Sequence, residues 1–194
     1  MSNTKKQTER VALGALFTAL VIILQLIGSA IRFGPFSISL VLVPIVLGSA
    51  VCGYKIGGFL GLVFGAAVLI SGDAAAFLAF DVFGTILTVL VKGALCGLVA
   101  GVTYKLLAKV NTYFAVFAAA IVCPIVNTGV FLIGCLLFFM EPVTAWGEAL
   151  GFASVGEYMF FGLAGGNFLV ELGINMVLAP VILRVINLIK KNDI

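Results

Sequence analysis

Histidine is absent from this chain of 194 residues, and charged side chains are scarce, with 11 basic and 8 acidic residues. The missing histidine excludes HExxH zinc proteases and hydrolases that depend on a Ser-His pair. A GxxxxGK[ST] motif is also missing, which excludes a P-loop for nucleotide phosphates. Soluble domains have about a quarter of their residues charged, whereas only 10% are charged here. We therefore predict that the chain is neither a soluble domain nor an enzyme.

The four cysteines lack the CxxC spacing of metal and redox sites, and they lie in apolar runs. They are interpreted as small buried side chains rather than as disulfides or metal ligands. The formal net charge of +3 comes from basic residues at the ends of apolar segments. We therefore expect no metal ion and no nucleic-acid partner.

Long apolar segments dominate the sequence. Hydrophobic residues make up 63% of the chain, and the mean hydropathy is +1.29. Stretches of roughly 18 or more apolar residues indicate transmembrane helices, whereas transmembrane barrels show alternating patterns of about 10 residues. We predict an all-α integral membrane protein that lies in the lipid bilayer as a single domain over residues 1–194. Its six transmembrane helices are expected at approximately 11–31, 37–53, 56–72, 82–105, 112–140 and 160–189.

Charged residues divide between the two ends of these six segments. Basic residues gather at one end and acidic residues at the other, and the positive-inside rule places the basic end and both termini in the cytoplasm. A single helix over 37–72 would put Lys55 in the hydrocarbon, so two short helices are predicted there. The basic set is Lys5, Lys6, Arg10, Lys55, Lys105, Lys109, Arg184, Lys190 and Lys191, and the acidic set is Asp73, Asp81, Glu141, Glu148 and Glu157.

A polar stripe interrupts the last apolar segment. In the stretch GGNFLVELGIN, Asn167, Glu171 and Asn175 follow one another at steps of four, which places them on one face of a helix. In lipid such a stripe costs several kcal/mol unless it faces polar groups. The stripe is therefore predicted to face the interior of the bundle.

Lys92 and Asn127 are predicted to meet this stripe. Lys92 precedes Lys105 by 13 residues, and Glu171 precedes Arg184 by the same 13. At about 1.5 Å per residue, both lie roughly 20 Å from the basic end of the bundle, and Asn127 reaches about the same level. Two interpretations stay open. Lys92 and Glu171 either pair and hold the helices together, or they line a substrate path together with the amides.

Small residues mark further helix faces. Two glycine series, each with a step of four, predict close helix packing. A small face on the first helix meets either this bundle or another membrane protein. The glycines are Gly57, Gly61 and Gly65, with Gly93, Gly97 and Gly101; the small face consists of Ala12, Ala15 and Ala19.

Two segments at the acidic end, IRFGPFS and SGDAAAFLAFD, combine small and aromatic residues with a few polar groups. Apolar loops of this kind suit a lid over a binding site. The alternative is interfacial packing, with phenylalanines anchored at the lipid headgroups.

The chain resembles the substrate-binding S components of energy-coupling factor (ECF) transporters, which import vitamins. The resemblance covers nearly the whole chain. It rests on the basic start followed by ALGALFTAL, on FGPFSISLVLVPIVLGSAVCGYKIGGFLGLVFG and on FGTILTVLVKGALCGLVAGVTYKLL. It implies capture of a water-soluble vitamin from outside the cell. Delivery would then require a membrane T component and two cytoplasmic ATPases, so that ATP is used only by partners and no cofactor is expected here.

The resemblance also assigns roles to residues. Docking onto the T component is expected at Ala12, Ala15 and Ala19, of which the last two match the AxxxA motif of the family. Lys92 would neutralise a ligand carboxylate or phosphate, the amides would give directional hydrogen bonds, and the loop aromatics would close over the ligand. The predicted substrate-binding residues are Lys92, Asn127, Asn167, Glu171, Asn175, Asp73, Trp146, Arg32, Phe33 and Phe36.

The expected location is the plasma membrane of a prokaryote, and the subfamily resemblance leans toward pantothenate or riboflavin. Two rival classes are a self-contained small-solute secondary transporter or channel, and an assembly subunit without a ligand. A tightly bound small molecule that survives purification would distinguish a substrate-binding component from both rivals.

Overall fold

The computed structural model describes residues 3–30, 32–33, 36–37 and 40–192, with side chains over 8–30 and 40–189. Most of these residues are helical, and one two-residue antiparallel ladder joins β1 (Arg32–Phe33) to β2 (Phe36–Ser37). A π-helical segment, Tyr158–Gly165, connects α8 to α9 without a break. The helices are α1 (Asn3–Ala30), α2 (Leu42–Cys52), α3 (Tyr54–Ser71), α4 (Ala75–Leu78), α5 (Val82–Leu107), α6 (Thr112–Phe138), α7 (Met140–Ala149), α8 (Val155–Glu157) and α9 (Gly166–Asn192).

Five helical stretches among the described residues are long and apolar enough to cross a membrane. Large apolar side chains remain exposed along their outer faces, as expected where the surrounding solvent is lipid. The helix α2, with 11 residues, is apolar but short; at about 1.5 Å per residue it spans roughly 16 Å of a hydrocarbon core about 30 Å thick. The five stretches run over Thr8–Ala30, Tyr54–Ser71, Val82–Leu107, Thr112–Phe138 and Val155–Ile189.

The second apolar segment differs most from its predicted bounds of 37–53. Its helix begins at Leu42, because residues 36–37 pair with residues 32–33 in the ladder and are drawn out of helical conformation. Pro44 lies in the first turn of α2, where a missing backbone N–H breaks no helical hydrogen bond. Gly53 then separates α2 from α3 with a φ of +99°, a conformation that favours glycine.

The helices α3 and α5 pack against each other in antiparallel fashion along the two glycine series. A Cβ on Gly61 would overlap the backbone carbonyl of Gly93, and a Cβ on Gly57 would lie 2.6 Å from the Gly97 carbonyl oxygen. Backbones therefore approach each other directly, as small residues allow in membrane helices. At one end of this pair, Lys105 Nζ lies 5.1 Å from the centre of the Tyr54 ring.

The opposite end of the bundle carries the connections from α3 to α5 and from α6 to α9. These connections are partly helical: α4 lies in the first, and α7 and α8 lie in the second, which falls largely between the predicted segments 112–140 and 160–189. Asp81 caps α5 by accepting a hydrogen bond from the Gly84 N–H at 3.0 Å. A second core of aromatic and apolar residues packs around these connections, separate from the main core between the long helices.

Candidate functional site

A cavity of about 560 Å³ opens at the end of the bundle that carries the α4 and α7 connections. Five long helices and the two connections supply its wall, so that residues distant in sequence meet around one space. Described residues that line it are Gln25 from α1, Phe64 and Val68 from α3, Asp73 to Phe77 except Ala75, Val89 and Lys92 from α5, Asn127, Thr128 and Phe131 from α6, Trp146, Ala149 and Leu150 from α7 and its end, and Tyr158, Leu163, Ala164 and Asn167 from the last helical stretch.

Lys92, Asn127 and Asn167 form the polar floor of this cavity. The Lys92 Nζ lies 5.4 Å from the centre of the Phe131 ring and 5.6 Å from that of Phe64. Both distances are typical of cation–π contacts. In the part of the chain that the structure describes, Lys92 makes no direct ion pair with a carboxylate, and Glu171 on α9 is the acidic group that acts most strongly on its charge.

Glu171 lies directly behind the floor and is fully buried. Its carboxylate accepts hydrogen bonds from Asn167 Nδ2 at 3.0 Å and from Asn127 Nδ2 at 3.5 Å. Hydrogen bonds to a charged acceptor are stronger than those between neutral groups. Glu171 therefore holds the two floor amides in a fixed orientation, with their Nδ2 groups turned toward the carboxylate.

Asn175 is also fully buried and lies one turn further along α9. Its Nδ2 donates a hydrogen bond to the backbone oxygen of Glu171 at 2.8 Å. Neither Asn175 nor Glu171 lines the cavity. The helical spacing predicted for the stripe is present, but only Asn167 reaches the cavity, because the next two positions lie about 6 and 12 Å further along α9, in the bundle core.

Asp73 reaches the cavity from the α3–α4 connection. It accepts a hydrogen bond from Gln25 Nε2 at 2.6 Å, and this bond ties α1 to the connection. Gln25 was not predicted from the sequence, although it is the only amide in the apolar run from Val11 to Ala30. Its isolation in an apolar run is the sequence feature that would have predicted Gln25 as a residue facing the bundle interior.

Aromatic rings close the wall around Phe77. Its ring meets those of Phe131, Phe139 and Trp146 edge to face, with centroid distances of 5.5, 5.0 and 5.4 Å. Phe80 meets Trp146 in the same way at 5.6 Å. Edge-to-face pairs stabilise such clusters beyond their buried area. The cluster therefore fixes α4 and α7 beside the cavity.

These features indicate a membrane protein with a ligand-sized cavity that has a polar floor and an aromatic wall. A family model described as the substrate-specific component of ECF transporters matches residues 9–183 of the chain. The chain belongs to this family. Comparisons with curated proteins and with solved structures gave no significant match.

The family assignment confirms the resemblance inferred from the sequence. An ECF substrate-specific component is a multi-pass membrane subunit of a transporter, and it is not an enzyme. This assignment favours a transporter subunit over a self-contained channel or secondary transporter. The family match does not identify the substrate, which has to be inferred from the residues that line the cavity.

The structure brings five of the ten predicted binding residues of this substrate-specific component to one cavity. Five lie on its wall, whereas Glu171 and Asn175 lie behind it. The backbone of the three remaining predicted residues belongs to β1 and β2, and their side chains lie outside the described part of the structure. The five lining residues are Lys92, Asn127, Asn167, Asp73 and Trp146; the three others are Arg32, Phe33 and Phe36.

The predicted docking alanines lie on the outer face of α1. Ala12, Ala15 and Ala19 are all exposed, so none of the described residues of this chain covers them. On the opposite side of the same helix, Phe17 and Val21 are buried in the main core. The small face is therefore available to another membrane protein and is not used for packing within the bundle.

Proposed function

We propose that this ECF substrate-specific component captures a water-soluble micronutrient of the vitamin class from outside a prokaryotic cell. The cavity is its binding site, and the captured molecule passes to a membrane T component that two cytoplasmic ATPases drive. ATP is used only by those partners, and the chain needs no cofactor of its own. The observation that supports this most directly is a cavity with a hydrogen-bonded polar floor inside an otherwise apolar bundle.

Energetics favour a ligand site over helix packing alone. Polar groups within a membrane cost free energy unless they face a partner or an aqueous space. If these residues only held helices together, a direct ion pair between Lys92 and Glu171 would be the most stable arrangement. Instead the carboxylate faces two amides, and Lys92 faces the cavity between two rings.

The proposed orientation places the cavity toward the outside and both termini in the cytoplasm. The support is the charge distribution, with Lys55 and Lys105 at one end and Asp73 and Glu148 at the other, together with the positive-inside rule. In this orientation the short α2 is the sixth membrane segment.

Thiol labelling tests the orientation. Single cysteines are placed at positions 55 and 148, on a background without the native cysteines, and treated with a reagent that does not cross the membrane. Labelling of intact cells at 148 and not at 55 is expected, and the reverse pattern would contradict the orientation.

Mass spectrometry of the purified protein tests the binding function itself. A substrate-specific component that binds tightly should retain a small molecule through purification in mild detergent. Asn167→Ala should reduce this retention, because it removes a floor amide. Asn187→Ala is the matched control, since Asn187 is exposed at the far end of α9. Pantothenate and riboflavin are the first ligands to test by addition to the purified protein. The proposal would be contradicted if no small molecule is retained and neither added ligand binds.

A further inference from the structure

An open groove of about 490 Å³ lies on the exposed face of the last helical stretch, and it shares no lining residue with the ligand cavity. Four large apolar side chains and two glycines line it, and Glu157 is the charged residue among its described lining. We propose that this groove binds one phospholipid with a primary-amine headgroup, which places its ammonium on Glu157 and an acyl chain along the apolar side chains. This inference goes beyond the proposed function, because it concerns a partner other than the captured ligand.

The groove exists because a glycine interrupts a row of large side chains. Phe161 and Leu169 lie one turn to either side of Gly165 and are 75% and 65% exposed. A Cβ on Gly165 would lie 2.5 Å from the backbone oxygen of Phe160 in the π-helical segment, so a larger residue at this position would strain the backbone. The space next to Gly165 is therefore filled from outside the chain, and in a bilayer the surrounding apolar medium is lipid.

The groove runs from the headgroup level into the hydrocarbon. Arg184 marks the basic end of the last helical stretch, and Leu169 and Glu157 precede it by 15 and 27 residues. At about 1.5 Å per residue, Leu169 lies roughly 22 Å and Glu157 roughly 40 Å from that end along the helix. Because the hydrocarbon core is about 30 Å thick, the apolar end of the groove lies within it and the charged end lies beyond it. A phospholipid has its polar and apolar parts in the same order.

Two hydrogen bonds hold Glu157 at the end of the groove. Its Oε2 accepts from the Ala153 N–H at 3.0 Å, and its own N–H donates to Ser154 Oγ at 3.2 Å. Such reciprocal bonds cap the start of a helix. The Glu157 side chain remains exposed, and a carboxylate has acceptor sites for several hydrogen bonds. An ammonium group can therefore bind here without displacing the cap.

The charges around Glu157 favour an ammonium over an anionic headgroup. The charged side chains that the structure describes at this end of the bundle are acidic, and Asp81, Glu141 and Glu148 are among them. Phosphatidylglycerol would bring a net negative charge to this surface, whereas phosphatidylethanolamine brings an ammonium with three N–H donors. The exposed phenyl rings beside Glu157 also attract a cation.

Photo-crosslinking locates the lipid on the unaltered protein. The full chain is reconstituted in phosphatidylcholine nanodiscs that contain a small share of phosphatidylethanolamine with a diazirine in its acyl chain, and the cross-linked residues are mapped by mass spectrometry. Phe168 and Leu169, at the apolar end of the groove, should be labelled preferentially. Leu87 and Val91 are the reference residues, because they are exposed on α5 at a similar depth and lie outside the groove.

Lipid titrations followed by native mass spectrometry test the headgroup. Phosphatidylethanolamine should bind the delipidated protein about 3- to 10-fold more tightly than phosphatidylglycerol with the same acyl chains, because an attraction at an exposed carboxylate replaces a repulsion. Glu157→Gln should remove most of this preference while keeping the cap, since a glutamine oxygen still accepts the Ala153 N–H. Glu148→Gln, at an exposed carboxylate outside the groove, is the matched control.

A second variant tests the groove by filling it. Gly156 lines the groove, and a Cβ on it would have only the Ser154 hydroxyl within 4 Å. Gly156→Leu should therefore fold and should lower the occupancy by phosphatidylethanolamine. Gly173→Leu is its control, because Gly173 is an exposed glycine of α9 with open space around it and lies outside the groove.

Several results would overturn the inference: equal binding of the two lipids, a preference that survives in folded Glu157→Gln, or cross-links spread evenly over the exposed residues. A stable dimer that Gly156→Leu dissociates would also overturn it, because a second copy would then occupy the groove. If neither variant folds, the cross-link map and the comparison of lipids on the unaltered protein decide. None of these measurements involves the captured ligand, so failure here leaves the proposed function standing.

Discussion

Replacement of Glu171 by glutamine tests whether the buried carboxylate orders the floor of the cavity. The substitution keeps the size of the side chain but turns one accepting oxygen into an N–H donor. In the unaltered protein, Asn167 and Asn127 donate to the carboxylate at 3.0 and 3.5 Å. Glutamine can accept a hydrogen bond from only one of these two amides, and its own NH2 group faces the other. A hydrogen bond to a charged acceptor contributes about 1.5–3 kcal/mol, so displacement of one floor amide should weaken ligand binding by about 10- to 100-fold.

The Glu171→Gln variant should nevertheless fold. Removal of a buried charge also removes a desolvation cost of several kcal/mol, which offsets the lost hydrogen bond in the free energy of unfolding. The assay measures ligand affinity and the melting temperature on the same preparation in nanodiscs.

Asn175→Leu is the matched control on the same helix face. Asn175 does not line the cavity, and its Oδ1 is buried with no hydrogen-bond partner among the described residues. An apolar side chain of similar size should therefore leave affinity unchanged. Unchanged affinity in a folded Glu171→Gln variant would refute the ordering role, and so would equal losses in both variants.

Three further outcomes are expected. Gly61→Ala should lower the melting temperature by about 3–10 °C, because its methyl group meets the backbone of α5, whereas Gly129→Ala, with open space around it, should not. Replacement of both Ala15 and Ala19 by tryptophan should leave ligand binding by the isolated protein intact but abolish uptake and co-purification with a T component; normal uptake would contradict docking at this face. Trp146→Ala should accelerate ligand release by up to about tenfold in stopped-flow measurements, because each lost aromatic pair contributes about 0.5–1.5 kcal/mol to the wall, and an unchanged rate would exclude Trp146 from closure.

The polar floor could be predicted from the sequence because helix geometry is local. A step of four residues fixes the face, and the distance to a charged helix end fixes the depth, so Lys92, Asn127 and Glu171 were assigned to one layer, with Asn167 on the same face as Glu171. The depth of the cavity was the missing quantity. Each step of four moves about 6 Å along α9, so Asn167 reaches the cavity while Glu171 and Asn175 lie beyond its floor.

The wall and the entrance could not be predicted in the same way. The contact between Gln25 and Asp73 joins residues 48 positions apart, and no local pattern indicates such a pair. The helix α7 lies almost entirely outside the six predicted segments, because its amphipathic pattern is short. The Trp146 ring on α7 packs against Phe77, a contact that the sequence does not indicate. Tertiary contacts, rather than propensity, determine structure in these connections.

The π-helical segment between α8 and α9 determines what the deletion of one residue would do to the cavity. An α-helix advances by about 100° per residue, and a π-helical stretch accommodates an additional residue within the same length. Loss of one residue between Tyr158 and Gly165 would restore the α-helical register and rotate everything on its N-terminal side by about that angle relative to α9. Tyr158 would leave the wall while Asn167 stayed in place, so a change of chain length by one residue in this segment would reshape the upper cavity and leave its polar floor unaltered.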